Sequence, residues 1–213
     1  MLFRSPVRED TGAFALVALT PDTPGVRVRP IRFVDPTRAV AEVELEEVRL
    51  EGANTLRAGG PDLLERLLDR ARAAICAEMC GGAARVLELC VQYARTREQF
   101  GRPIGSFQAI QHKCADMLVA VESARSATYA AAWALDAASP EAHLAACMAK
   151  AYCSDAYREV TGQGIQIHGG LGFTWEQDLH LYFRRARACE AAFGDGPWQR
   201  EEIARLLLDR PTC

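Results

Sequence analysis

The spacing of apolar residues changes at Gly59-Gly60-Pro61, and this change divides the chain into two kinds of sequence. From Asp62 through Arg95, apolar side chains return every three or four residues, which is the spacing of one face of an α-helix. Two further helical patterns run from about Ser106 to Ala138 and from about Pro140 to Ile167. Long helices joined by short connections predict an up-and-down four-helix bundle.

Small residues occupy positions where these helices can approach one another. Gly81-Gly82 lies inside the first helical pattern, and glycine there allows a neighbouring helix to come close. The second pattern is dense in alanine, which combines high helix propensity with a small side chain. Its alanines include Ala127, Ala130, Ala131, Ala132, Ala134, Ala137 and Ala138.

The residues before the glycines follow a different period. Ala13–Leu19 is apolar throughout, so its pattern fits a buried strand and a short helix equally. Val26–Ile31 and Ala39–Leu45 alternate apolar and charged side chains, which predicts a half-exposed antiparallel sheet. We therefore expect a mainly α protein, with a partial β-domain over residues 1–58 and a helical bundle domain over residues 59–213.

Charge and hydropathy argue against several classes of function. The 213-residue chain has a formal net charge of −3 and carries neither a basic arm nor an RNA-binding aromatic pattern, so no nucleic acid partner is expected. No apolar run is long enough to span a bilayer, and residues 1–6 lack the features of a signal peptide. We expect a cytoplasmic protein without a membrane partner.

Eight cysteines are distributed along the chain without a Cys-x-x-Cys pair. Several lie among alanine and leucine in the helical patterns, where a free thiol behaves as a small apolar side chain. We expect reduced core thiols and no metal site, because a closed zinc site needs four ligands.

The stretch Tyr93–His112 connects the first two helical patterns through glycine and proline, with arginines beside them. Guanidinium groups and exposed amides at a helix end can bind phosphate. The same residues also fit an ordinary connection that carries solvated arginines. The residues concerned are Arg95, Arg97, Gly101, Arg102, Pro103 and Gly105.

This stretch reads Tyr-Ala-Arg-x-Arg-x-Gln-Phe-Gly-x-Pro-Ile-x-x-Phe-Gln-Ala-Ile-Gln-His, and it resembles the sequence that joins two long helices in the C-terminal domain of acyl-CoA dehydrogenases. The resemblance implies that Arg97, Phe100 and Gln108 reach across a dimer interface to the FAD of the neighbouring subunit. It also implies that residues 1–58 are the second half of the middle β-domain. The part that precedes it in typical members would be lost by truncation or supplied by a partner chain.

The segment Gln166–Thr174 closes the third helical pattern. Gly169 and Gly170 by themselves fit a helix C-cap. The segment also resembles the Gln-x-x-Gly-Gly-x-Gly-x-Thr/Ser loop of the family, which implies that Gln166, Gly169 and Gly170 contact the ADP portion of FAD across the dimer. His168 is expected to pack or to form hydrogen bonds, because no carboxylate or nucleophile stands beside it in sequence.

Asp195 lies in Gly194-Asp195-Gly196-Pro197, immediately before the last helical segment. It fits a helix N-cap, an interaction worth about 1 kcal/mol. The resemblance implies a catalytic role, because many members carry Glu-Gly here and use the glutamate to remove the α-proton of the thioester. Aspartate is one methylene shorter, so such a base needs a shifted backbone or substrate. Asp69 is the other carboxylate near a known base position, but it is out of register.

The resemblance implies an FAD-dependent acyl-CoA dehydrogenase, or a subunit of one, that desaturates an acyl-CoA substrate between its α and β carbons. Electrons would pass to an electron-transfer flavoprotein. The pattern from His168 to Tyr182 looks most like bacterial members assembled from two unlike subunits, which act on bulky, often steroid-derived thioesters. A non-catalytic subunit that completes the FAD site of a full-length partner is the alternative. Both interpretations predict a homo- or hetero-oligomer, either a dimer or a tetramer.

Overall fold

Helices dominate the part of the chain that the computed structural model describes, namely residues 3–8, 14–49, 55–56 and 62–208. Residue contacts divide the chain into two compact units, Met1–Leu68 and Asp69–Cys213. The described helices are α1 (Asp62–Thr96), α2 (Gln108–Asp136), α3 (Ala142–His168), α4 (Leu179–Ala191) and α5 (Gly196–Leu208). None of them is both long and apolar enough to cross a membrane.

Contacts at both ends show that α1 and α3 run in the same direction. Tyr93, near the end of α1, stacks on His168 at the end of α3 with ring centroids 4.2 Å apart. Asp69, in the second turn of α1, lies 2.9 Å from Nδ1 of His143 at the start of α3. The two helices therefore run side by side from Asp69 to Tyr93 of α1.

Helices α2 and α4 run in the opposite direction. Lys113, near the start of α2, donates a hydrogen bond to Gln163 near the end of α3, with 2.5 Å between Nζ and Oε1. Glu190, at the end of α4, pairs with Arg158 in the middle of α3 at 2.9 Å, whereas Leu179 begins α4 beside Gly164. The alternation of α1 to α4 confirms the predicted up-and-down bundle.

The core between the helices contains free thiols among small apolar side chains. Burial raises the pKa of Cys90 to about 12, which keeps this group a neutral thiol. The buried free cysteines are Cys76, Cys80, Cys90, Cys147, Cys153 and Cys189, and Cys114 is partly buried. These seven confirm the predicted core thiols, and Cys213 lies outside the described residues.

Two consecutive glycines of α1 have different surroundings. A Cβ atom at Gly82 would lie 2.4 Å from the hydroxyl oxygen of Tyr157, whereas a Cβ atom at Gly81 would meet nothing within 4 Å. Tyr157 is 2% exposed, so its ring has little room to move away. The predicted close approach is therefore confirmed at Gly82, where α1 receives the Tyr157 ring of α3.

The strands of the first unit form two separate sheets. One sheet has the order β1 (Phe3–Arg8), β2 (Phe14–Leu19) and β5 (Thr55–Leu56), and β3 (Val26–Ile31) pairs with β4 (Val40–Leu45) as a hairpin. All pairings are antiparallel. The apolar run that fitted a strand or a helix is β2, in which alternate residues Ala15, Val17 and Leu19 are buried.

The β3–β4 hairpin is more open than the half-exposed sheet that its alternation predicted. Val28 faces Val43 across the hairpin, yet their exposed fractions are 40% and 42%. Arg27 pairs with Glu46 at 2.8 Å on the charged face. The alternation is correct, but two strands by themselves bury little apolar surface, so both faces of the hairpin remain accessible within the described residues.

The contrast between Gly81 and Gly82 generates a stability prediction. We expect Gly82→Ala to lower the free energy of unfolding by about 1–3 kcal/mol, because the added methyl group displaces Tyr157. Gly81→Ala is the matched control and is expected to raise it by about 0.5–1 kcal/mol through better helix propensity. Guanidinium unfolding followed by circular dichroism measures both, and equal effects of the two substitutions would contradict the close contact.

Candidate functional site

A tight hairpin joins α1 to α2 and presents Phe100 at its tip. Strands β6 (Glu98–Gln99) and β7 (Arg102–Pro103) pair across a two-residue turn in which Phe100 and Gly101 have φ angles of 55° and 77°. Left-handed backbone costs a non-glycine residue about 1–2 kcal/mol. Phe100 is 93% exposed, so burial within this chain does not offset that strain. The large apolar side chain of Phe100 is therefore accessible to any molecule that lies beside this end of the bundle.

Arg97 and Gln108 flank the same hairpin. The backbone carbonyl of Arg97 accepts a hydrogen bond from the Ile104 amide at 2.8 Å, which closes the hairpin at its base. A Cβ atom at Gly105 would lie 2.9 Å from the Ala94 carbonyl oxygen, so glycine lets the returning chain pass close to the end of α1. Gln108 then begins α2. The side chains of Arg97 and Gln108 are both exposed.

The glycine pair after α3 ends that helix. Gly169 is its C-cap with a φ angle of 60°, and its amide donates a hydrogen bond to the Gln166 carbonyl. A short 3₁₀ turn over Gly169–Phe173 follows. The C-cap interpretation is confirmed. A Cβ atom at Gly169 or Gly170 would meet nothing within 4 Å, so the outer side of this backbone is open.

His168 connects the glycine turn to the hairpin end of α1. Its Nδ1 atom lies 2.9 Å from the Gly164 carbonyl oxygen, and its ring stacks on Tyr93. Burial lowers the pKa of His168, which favours the neutral imidazole that a stacked, hydrogen-bonded ring requires. The predicted packing and hydrogen-bonding role of His168 is confirmed.

Six residues therefore share one end of the bundle and face outward. The set combines a guanidinium group, two carboxamides, one aromatic ring and two glycines with open backbone. Forked guanidinium donors and free backbone suit a phosphate-containing ligand that also offers a flat ring. The six exposed residues, called the hairpin-end cluster below, are Arg97, Phe100, Gln108, Gln166, Gly169 and Gly170.

Asp195 caps the last helix. Its Oδ1 atom accepts a hydrogen bond from the Trp198 amide at 2.9 Å, which confirms the N-cap interpretation. Gly194 precedes it with a φ angle of 93°, and a Cβ atom there would lie 2.6 Å from the Trp198 ring. The cap engages Oδ1 alone among the hydrogen bonds of the described residues, and the carboxylate of Asp195 is exposed.

Asp195 and the hairpin-end cluster lie far apart within the chain. The residue before Asp195, Gly194, accepts a hydrogen bond from Lys150 in the first half of α3 at 3.1 Å. Lys150 and His168 are separated by 18 positions of one helix (168 − 150), which at ~1.5 Å per residue corresponds to roughly 27 Å. The two sets of predicted site residues therefore cannot meet around one small ligand of this chain.

Comparison with known proteins identifies the architecture. The family model of the acyl-CoA dehydrogenase C-terminal domain matches residues 58–208. The chain belongs to the acyl-CoA dehydrogenase family. This confirms the resemblance seen in the residues around Phe100 and Gly169. Acyl-CoA dehydrogenases generally bind FAD.

Individual acyl-CoA dehydrogenases show how much of the family fold is present. The acyl-CoA dehydrogenase IpdE2 of Mycolicibacterium smegmatis is 39% identical over 178 residues, which cover 84% of this chain and 51% of that protein. A chain of the ChsE4–ChsE5 complex from Mycobacterium tuberculosis matches with a TM-score of 0.91 and 30% identity, over 99% of this chain and 56% of that one.

A third match comes from the structure of the electron transferring flavoprotein of Acidaminococcus fermentans, with a TM-score of 0.92 and 31% identity over 99% of this chain and 57% of that one. The chain thus spans about half the length of the relatives that it matches.

Asp69, the other carboxylate weighed as an acyl-CoA dehydrogenase base, belongs to a buried ion cluster. Its Oδ1 atom accepts a hydrogen bond from Nη1 of Arg72 at 2.6 Å and lies 2.9 Å from Nδ1 of His143. On the other side of the ring, Nε2 of His143 lies 3.1 Å from Glu202 of α5. Asp69 is 3% exposed and fully engaged, so it is not free to act as a base. Sequence spacing missed this cluster because its members come from three separate helices.

The charge state of His143 follows from this cluster. Hydrogen bonding to Asp69 raises the pKa of His143 to about 11, and hydrogen bonds from Arg205 and His143 lower the pKa of Glu202 to about 2. Ligand atoms of Asp69, His143 and Cys147 lie within 4.8 Å of one another. A metal ligand must be a neutral imidazole with a free nitrogen, whereas both nitrogens of His143 face carboxylates. The cluster is an ion-pair network that ties α5 to the start of α3.

The raised pKa of His143 generates a pH prediction. The imidazolium stabilises the fold fully below its unfolded pKa of ~6.5 and progressively less as pH rises toward about 11. We expect His143→Gln to lower the free energy of unfolding by about 1–3 kcal/mol at pH 6, and by clearly less at pH 9.5. Urea unfolding at both pH values measures this. The exposed His112→Gln is the control, and an equal loss at both pH values for His143→Gln would contradict the charged pair.

Proposed function

We propose that the chain is an FAD-dependent acyl-CoA dehydrogenase, or a subunit of one, that introduces a double bond between the α and β carbons of an acyl-CoA thioester. The observation that carries the proposal is the outward-facing hairpin-end cluster, whose members are the residues that the resemblance to the family assigns to FAD contacts. The strained Phe100 supports it further, because its edge-on contact with Phe107, with ring centroids 6.1 Å apart, still leaves the residue 93% exposed.

The donor set of the hairpin-end cluster fits FAD. Arg97 offers forked donors suited to phosphate oxygens, and Gln108 and Gln166 offer carboxamides that both donate and accept. The open backbone at Gly169-Gly170 leaves room for the ADP portion to lie against it. Because all of these groups point away from the chain, we propose that they hold an FAD whose flavin belongs to the neighbouring subunit.

Asp195 is the proposed base. Its carboxylate would accept the α-proton of the thioester while Oδ1 remains bound to the Trp198 amide, so that the proton is taken at Oδ2. The cap fixes the direction of the carboxylate on a rigid helix end. When bound, FAD supplies the acceptor for the hydride that leaves the β carbon. Because aspartate is shorter than glutamate, the substrate must approach this helix end more closely than it approaches a glutamate base.

The distance between Asp195 and the hairpin-end cluster supports an oligomer. One chain would supply a base to one active site and FAD contacts to another, as a homo-oligomer or with an unlike acyl-CoA dehydrogenase subunit. Since the chain spans about half of its relatives, the rest of each site would come from a partner or from a longer form of the protein. We propose an electron-transfer flavoprotein as the electron acceptor.

A second candidate function is a non-catalytic subunit that completes the FAD site of a full-length partner. The aspartate at position 195, one methylene shorter than the usual base, favours this alternative. The two functions differ in one respect. The enzyme needs Asp195, whereas the completing subunit needs only the hairpin-end cluster.

An absorbance spectrum of the protein, expressed alone and with its genomic neighbour, tests the proposal. We expect a yellow protein or complex whose flavin is reduced by an acyl-CoA thioester. Asp195→Asn should abolish reduction and leave the flavin bound, because asparagine still caps the helix. Asp178→Asn, at the exposed N-cap of α4, is the control. Undiminished reduction in Asp195→Asn would favour the non-catalytic subunit, and no flavin under either condition would refute both functions.

The division of labour between the two ends of the bundle predicts complementation. Arg97→Gln should lose FAD affinity and Asp195→Asn should lose the base, so each homo-oligomer is inactive alone. Co-expression of the two variants with different tags should restore about a quarter of the wild-type activity. About half of randomly assembled dimers are mixed, and one of the two sites in each mixed dimer has both groups intact. Purified mixed oligomers without activity would show that the two groups serve the same site.

A further inference from the structure

Lys150 is enclosed by the bundle although it carries a charge. Its exposed fraction is 0%, and Lys113 is the only other lysine among 25 basic residues. The Nζ atom donates to Ser154 Oγ at 2.9 Å, to the Glu190 carbonyl oxygen at 3.1 Å and to the Gly194 carbonyl oxygen at 3.1 Å. An ammonium group has three donors, so these three acceptors satisfy it completely.

Two of the three acceptors lie at the end of α4 and in the connection that leads from it to α5. Glu190 lies in the last turn of α4, where backbone carbonyls have no partner within the helix. Gly194 is the residue immediately before Asp195. The ammonium group therefore joins the end of α4 to the start of α5 from its position on α3, and it does so one residue from the proposed base.

Two other buried side chains hold the same connection. Gln199 donates from Nε2 to the Phe193 carbonyl at 2.9 Å and to the Gly194 carbonyl at 3.2 Å. Arg72 donates from Nε to the Phe193 carbonyl at 3.2 Å. The backbone before Asp195 is thus fixed by side chains of α1, α3 and α5. Lys150 differs from Gln199 because it adds a positive charge close to Asp195.

The charge of Lys150 is buried without a direct carboxylate contact among the described residues. Burial lowers its pKa, and the negative charges of Glu190 and Asp195 act in the opposite direction. The titratable groups that face it are Cys76 of α1, Cys189 and Glu190 of α4, and Asp195. Glu190 and Asp195 are the carboxylates among these groups, and their negative charges act on the ammonium group.

We propose that Lys150 is the positioning residue for Asp195, because its hydrogen bonds to the Glu190 and Gly194 carbonyls hold the backbone that leads into this residue. The inference rests on the proposed function, in which Asp195 takes the α-proton. Arginine could not replace Lys150, because this enclosed position accommodates a compact ammonium group but not a planar guanidinium group.

Hydrogen–deuterium exchange of the full chain tests the positioning part without any catalytic readout. We expect Lys150→Met to speed amide exchange about tenfold or more in peptides that cover residues 192–199, because the backbone there loses its anchor. Lys113→Met, the same substitution at the other lysine, removes a bond between α2 and α3 and should leave that segment unchanged. Unchanged exchange at 192–199 in Lys150→Met, or an equal increase throughout the bundle, would overturn the proposal.

Flavin reduction by an acyl-CoA thioester tests the effect on Asp195 in the yellow protein or complex. We expect Lys150→Met to slow reduction by about tenfold to a hundredfold with little change in KM, since the base is misplaced and not the substrate. Ser154→Ala leaves the bonds of Lys150 to both backbone carbonyls and should slow reduction less than Lys150→Met.

The outcomes separate the two proposals. An unchanged rate of flavin reduction in Lys150→Met would overturn the effect on Asp195. If Asp195→Asn reduces its flavin normally, the base assignment fails, and the exchange result still decides whether Lys150 holds the connection. If Lys150→Met does not fold, Ser154→Ala should still raise exchange at residues 192–199 by a smaller factor, and its failure to do so would overturn the positioning role.

Discussion

The bundle depends on the close contact between α1 and α3. Gly82 of α1 receives the Tyr157 ring, and a Cβ atom at Gly164 of α3 would lie 2.6 Å from Cγ1 of Val86. The glycines make room for these side chains between the two helices, and well-packed side chains leave the helices little freedom to slide. This contact sets the register in which Tyr93 meets His168. The positions of the exposed side chains at both ends of the bundle depend on that register.

The two ends of the bundle use polar groups in different ways. At the hairpin end, hydrogen bonds close the connections between helices through the backbone, and the side chains of Arg97, Phe100 and Gln108 remain outside. At the other end, charged side chains lie inside and bind one another or backbone carbonyls. The first arrangement leaves functional groups for a ligand or a neighbouring subunit. The second gives rigidity to the segment that carries Asp195.

Buried charge at the second end is stabilising only because every group has partners. Asp69 is matched by Arg72 and His143, and Lys150 by a hydroxyl and two carbonyls. Removal of one member would leave another desolvated charge unpaired, which costs more than the pair contributes. Such networks select one conformation of the α4–α5 connection. Apolar contacts alone, which are not directional, would allow several conformations. A fixed conformation is what a proton-transfer geometry requires, since small displacements of a base are costly.

The sequence by itself determined the three long helices to within about two residues, the strand character of Val26–Ile31, the core thiols and the family motifs, because each depends on local spacing or residue identity. It left Ala13–Leu19 open, and it indicated neither β1 nor the exposure of the β3–β4 hairpin. Only the tertiary structure decided that Asp69 is locked in an ion cluster, that Lys150 is buried beside Gly194 and that Asp195 lies far from the hairpin-end cluster. Each of these features depends on contacts between residues that are distant in the chain. The spacing of apolar residues shows which face of a helix is buried, but not which residues of other helices pack against that face.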